Sequence, residues 1–160
     1  MKPMNWYGES IKATPLHYCD TLEEALVYFD AGLKGDEPCE GINPLLHSVE
    51  NFEIFEECLK RGANPNVGMP KMAPLHCQTE AAFIELLIKY GADVNAIDHF
   101  GRSPLHCCTN IVALKLLINA GSNTDVKDED GELPEDGFLE DEEGLEMIRL
   151  VQNTRQAKSK

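Results

Sequence analysis

Four stretches of the chain carry apolar residues at helical spacing, and each leads to a glycine. Leu22, Ala25, Leu26 and Phe29 lead to Gly32; Phe52, Ile54, Phe55 and Leu59 lead to Gly62; Ala81, Ile84, Leu87 and Ile88 lead to Gly91. Leu116, Leu117 and Ile118 repeat the run of Leu86, Leu87 and Ile88 and lead to Gly121. Apolar positions three and four apart mark one face of an α-helix, and a glycine just beyond supplies the left-handed residue that ends it. Leu145, Ile148, Leu150 and Val151 predict one further amphipathic helix.

A second pattern stands ahead of each helix. Pro-Leu-His occurs at 15–17, 74–76 and 104–106, with Pro44-Leu45-Leu46-His47 between them and Leu133-Pro134-Glu135-Asp136 downstream. The prolines fall at 15, 44, 74, 104 and 134. Thr14 or Ser103 before a proline predicts a capped helix start, because proline at the first helical position loses no needed N–H. A short first helix, a tight turn and the longer apolar helix therefore form one unit. The link 93–102, rich in Asp, Asn and Gly, turns the chain back to the next start. Units recurring at this fixed interval predict a stacked solenoid, in which each unit buries its apolar face only against its neighbours.

The motifs Thr14-Pro15-Leu16-His17 and Gly91-Ala92-Asp93-Val94-Asn95 resemble those of the ankyrin repeat. The resemblance implies an all-α fold: an ankyrin-like solenoid of stacked helix-turn-helix repeats with projecting turns. Residues 1–12, with Trp6, Tyr7 and Ile11, would form an N-terminal cap. Residues 13–151 would hold about five repeats, starting near 14, 43, 73, 103 and 133, the last a C-terminal cap. Residues 152–160 would be a flexible tail. Each copy is about three residues shorter than the usual 33, and the Pro-to-Gly count of 17 in three copies places the deletion between the two helices. This compact form is similar to versions common in bacterial and phage-type proteins. The second copy has His47 one place late and a count of 18. In the third, Ala73 replaces the capping hydroxyl, at a cost of about 1 kcal/mol.

Charge narrows the partners. With 28 acidic against 14 basic residues the net charge is -14, so the chain would repel a phosphate backbone and direct nucleic-acid binding is not expected. The acid concentrates in Asp128, Glu129, Asp130 and Glu132 and continues through Glu146. It reads either as a solvated surface or as a field that steers a basic partner. No apolar run is long enough for a membrane span and the start is unlike a signal peptide, so a cytoplasmic, free monomer is expected. The six cysteines lack paired spacing and read as reduced, buried small residues. His76 beside Cys77 and His106 beside Cys107 could suggest a nucleophile or a metal cluster. They recur with the period of the fold, however, and in the resembled family this His bonds the projecting turn. No enzyme activity, cofactor or metal is expected.

In that family, partner contacts lie on the projecting turns and the inner-helix ends. The resemblance maps these to Met69, Lys71, Met72, His99, Phe100, Arg102, Glu129, Asp130 and Glu132, with Gln78, Thr79 and Thr109 on the adjoining concave face. Met69, Met72 and Phe100 read equally as packing between turns or as apolar anchors. The expected function is a non-catalytic interaction module that masks or inhibits another protein. An immunity protein or antitoxin against a basic toxin or nuclease is one form of it, and a regulatory or host-directed adaptor is the alternative.

Overall fold

The computed structural model describes residues 14–37, 45–47, 49–68 and 72–158. The expected cap over 1–12 lies outside them, as do Met69 and Lys71. Five α-helices form where the apolar stripes predict: α1 (Leu22–Asp30), α2 (Phe52–Lys60), α3 (Ala81–Lys89), α4 (Ile111–Asn119) and α5 (Glu142–Lys158). Each is preceded by a single turn of 3-10 helix: η1 (Pro15–Tyr18), η2 (Leu45–His47), η3 (Pro74–His76), η4 (Pro104–Cys107) and η5 (Pro134–Gly137). Among the described residues there is no strand. Each α-helix packs on the next, as do the short helices from η2 to η5. The result is two parallel rows around one core that runs from Leu16 to Val151.

Packing in this core is local, as a solenoid requires. Phe83 of α3 meets Phe55 of α2 edge-on at 4.8 Å and Phe52 at 5.4 Å. Leu87, Leu105, Leu114 and Leu117 carry the core onward through the next unit. Among the described residues Cys58 is the buried cysteine; Cys19, Cys77, Cys107 and Cys108 are half-buried, more open than the sequence suggests. These five described cysteines are free thiols, and burial pushes those of Cys58 and Cys108 up to about 12. Both therefore stay protonated and poorly nucleophilic at neutral pH.

Side chains also tie each unit to the next. His47 Nε2 donates to the Met72 carbonyl at 2.8 Å, His76 Nε2 to the Arg102 carbonyl at 3.1 Å and His106 Nε2 to that of Glu132 at 3.4 Å. His47 does so despite its one-residue offset, so the sequence irregularity leaves the link unchanged. The hydroxyls of Thr14 and Ser103 contact the Nδ1 of their own repeat's histidine, each at 2.9 Å, and thereby orient the ring. A second row runs through Asp36, Asn66 and Asn95, which accept the N–H of Asn64, Asp93 and Asn123, each at 2.7 Å. Asn51 and Asn110 add a third, capping α2 and α4 while donating back to the carbonyls of Asp20 and Thr79.

Among these links that of His76 is the most protected: the ring is buried and its bond to the Arg102 carbonyl is partly buried, so cutting it leaves that carbonyl without its partner. His76→Ala is therefore expected to lower unfolding free energy by about 2 kcal/mol. Urea denaturation read by circular dichroism measures it, and a change below a few tenths would show that the ring is not a structural link.

The terminal unit departs from the pattern in two ways. Asp136 stands where the histidine would be, and its exposed carboxylate turns back on its own turn to accept the Leu133 N–H at 2.8 Å. Helix α5 continues to Lys158 where a flexible tail from 152 is predicted. The physical reason is Arg155, whose guanidinium binds Glu135 at 2.6 and 2.9 Å, pairs with Asp125 at 2.6 Å and reaches the Thr124 carbonyl. The buried face of α5 also differs from prediction. Gly144, Met147 and Val151 face the core, and Leu145 is exposed.

Candidate functional site

The turn between repeats three and four is organised by Asp98. Its carboxylate is buried, and Oδ1 accepts the backbone N–H of Phe100 at 2.8 Å and of Arg102 at 2.9 Å. Oδ2 accepts from the Arg102 guanidinium at 3.0 and 2.9 Å. Burial alone would push this carboxyl up; the two backbone bonds and the guanidinium together hold it below the usual range. Arg102, so fixed, lies 4.7 Å over the Phe100 ring, and the His99 ring leans against it, 3.8 Å away and tilted by 44°. Phe100 remains 48% exposed, which favours the anchor reading over burial between turns.

Asp128 builds the following turn in the same way. Its Oδ1 accepts from the N–H of Asp130 at 3.0 Å and of Glu132 at 2.9 Å. The two turns are joined, because Glu129 N–H donates to the Phe100 carbonyl at 3.0 Å. Gly101 makes that approach possible: its φ is +78° and a Cβ there would stand 2.9 Å from Glu129 N. One exchange separates the two turns in character. Where Arg102 neutralises Asp98, Glu132 brings a second carboxylate beside Asp128. A cleft of about 330 Å³ opens between the turns, lined by Phe100, Arg102, His106, Asp130, Glu132 and Pro134 among others.

The structure thus brings Phe100, Arg102, Asp130 and Glu132 together, with His99 and Glu129 beside them at the tips. Met72 is half-buried and fixed through its carbonyl by His47. Gln78, Thr79 and Thr109 are not part of this group. They lie in the links between short and long helices, where Gln78 Nε2 donates to the Leu46 carbonyl at 3.2 Å and the Thr79 carbonyl accepts from Asn110. Thr109 borders a separate cleft with Cys108, Phe138, Leu139 and Met147. Sequence reasoning missed that cleft. The available signal was Gly137, which stands three residues after its proline, where the other units carry Tyr18, His47, Cys77 and Cys107.

Both nitrogens of His106 are engaged, Nδ1 by the Ser103 N–H at 3.1 Å and Nε2 by the Glu132 carbonyl. The ring is a structural link beneath the acidic turn. No helix among the described residues is long and apolar enough to cross a membrane.

No family model matches the chain. Curated relatives do. A 58-residue stretch is 40% identical to Ankyrin repeat protein OPG189 of vaccinia virus (strain Western Reserve), covering 34% of this chain and 10% of that protein. The same protein of monkeypox virus is 40% identical and that of variola virus 36%, each over the same shares. The chain spans about a tenth of the length of these relatives. They are poxviral, where the compact repeat suggested bacterial and phage-type versions.

Proposed function

This chain is an ankyrin-repeat protein, and we propose that it is a non-catalytic interaction module that captures a partner protein on its 98–102 and 128–132 turns. The observation that carries this reading is the state of those turns. Their backbone polar groups are satisfied internally by Asp98 and Asp128, which leaves Phe100, Glu129 and Asp130 exposed on a rigid frame. Exposed aromatic surface beside preorganised charge suits docking, since little ordering entropy remains to be lost.

The partner is basic, because the paired turns present carboxylates in excess of cations. Capture would mask that partner's own charged surface. Immunity or antitoxin action against a basic toxin or nuclease is one biological form of such masking. A host-directed adaptor is the second, and the poxviral source of the relatives favours it.

The test compares the protein with a Phe100→Ala, Glu129→Lys, Asp130→Lys variant in pull-downs from native lysate, with partners identified and their affinities measured. The variant is expected to keep the wild-type melting curve and to bind about tenfold or more weakly. Rising salt should slow association with the unmodified protein, since exposed charges are screened beyond about 10 Å at 0.1 M. Equal binding by both proteins would remove the turns from the interface.

A further inference from the structure

The terminal short helix ends on Gly137, and neither backbone nor packing requires a glycine there. Its φ is outside the left-handed region, and a Cβ built on it meets no atom within 4 Å. The open space is the junction of two clefts. On one side Gly137 borders the acidic cleft between the projecting turns. On the other it borders the second cleft, of about 290 Å³, whose walls are Cys108, Phe138, Leu139 and Met147. Phe138 and Met147 are buried in its floor, and Leu139 stands 73% exposed at its edge. A large aliphatic side chain is thus uncovered beside empty apolar space, and Asp141 and Glu143 close the rim.

We propose that the two clefts form one groove for an extended segment of a partner protein, bearing a Lys or Arg a few residues from a large apolar side chain. The apolar side chain enters between Leu139 and Met147, where it packs on Met147 and removes Leu139 from water. The backbone crosses at Gly137, whose missing side chain lets it approach. The cation reaches Asp128, Asp130 and Glu132.

Charge selects this occupant. The linings carry the carboxylates of Asp128, Asp130, Glu132, Asp141 and Glu143, and their one guanidinium, Arg102, is held by Asp98. A second copy of this chain, with a net charge of -14, would bring like charge to that rim. The proposal rests on the partner-binding reading above, and it names the segment that this reading leaves open.

The test titrates the isotope-labelled full chain with short Gly/Ser peptides that carry one Leu and one Arg at varied spacing, and with the same peptides carrying Glu for Arg. Saturable amide shifts are expected at Gly137, Phe138 and Leu139 and over 128–132, with the Glu peptides about tenfold weaker. Gly137→Leu is expected to keep the melting temperature and bind about tenfold more weakly. Asp130→Lys with Glu132→Lys should lose the preference for Arg, which keeps the test decisive should Gly137→Leu perturb the fold. Absence of saturable shifts at Gly137 up to about 5 mM peptide, a range that detects even millimolar binding, would overturn the groove. Equal binding of the Arg and Glu peptides would overturn it too. Shifts confined to 98–100 and 129–130 would overturn the groove while leaving turn-mediated capture standing. Concentration-dependent shifts at Gly137 without peptide would assign the groove to a second copy and also overturn it.

Discussion

Replacing Arg155 with alanine is expected to cost the fold about 3 kcal/mol, and the loss should appear first at the C-terminal end of the stack. Its guanidinium is bound on several sides, by Glu135, Asp125 and the Thr124 carbonyl. The partners are unequal. The Asp125 side chain is 57% exposed and can return to water, whereas that of Glu135 is 7% exposed and cannot. Removing the arginine therefore strands a buried carboxylate, which accounts for most of the loss. Adding Glu135→Ala to Arg155→Ala should recover part of it, since no charge is then left buried. Urea denaturation of the two variants and the wild type decides the matter. If the double variant were no more stable than the single one, packing by the arginine stem would be the cause instead of charge.

Gly144→Ala is expected to lose about 3 kcal/mol, while Gly137→Ala, only seven positions away, should change stability by less than about 0.5 kcal/mol. A Cβ on Gly144 would stand 1.8 Å from the Leu139 carbonyl oxygen and 2.8 Å from its carbon. Those atoms belong to the backbone entering α5, and Asp141 fixes that entry by accepting the Gly144 N–H at 2.8 Å. The helix cannot yield without releasing its own cap. Nothing opposes a methyl group at Gly137. Thermal melting of both variants reads the contrast, and a silent Gly144→Ala would mean that the 139–141 segment moves at little cost.

These two glycines also show where the sequence stops being informative. The period and the alternation of short and long helices are legible, because proline and glycine recur at nearly fixed offsets whatever surrounds them, and the role of the histidines follows from the ankyrin resemblance. The phase of α5 is not legible. Leu145, Met147, Ile148, Leu150 and Val151 offer more than one apolar stripe, and only contact with α4 selects the one through Gly144, Met147 and Val151. Helix length failed for a related reason. Residues 152–158 have no apolar stripe, and long-range ion pairs from Arg155 to Glu135 and Asp125 hold them. Within the candidate site, the turn side chains followed from the repeat template. Gln78, Thr79 and Thr109, which the resemblance places on the adjoining concave face, stand in the links between short and long helices, apart from the turn group.

The rungs that join one repeat to the next carry no record of their position. His47, His76 and His106 each grip the same carbonyl of the following unit, and Asp36, Asn66 and Asn95 each accept the same N–H. Such joints are interchangeable and cannot count. The last described unit breaks the series: Asp136 repeats only the bond within its own turn that Nδ1 makes in His106 and has no donor to turn onward, and Arg155 covers the Asp125 carboxylate that stands where Asn95 does. Two residues thus cover the face of this unit by side-chain chemistry, and the number of units ahead of them is free to vary without any rung being redesigned.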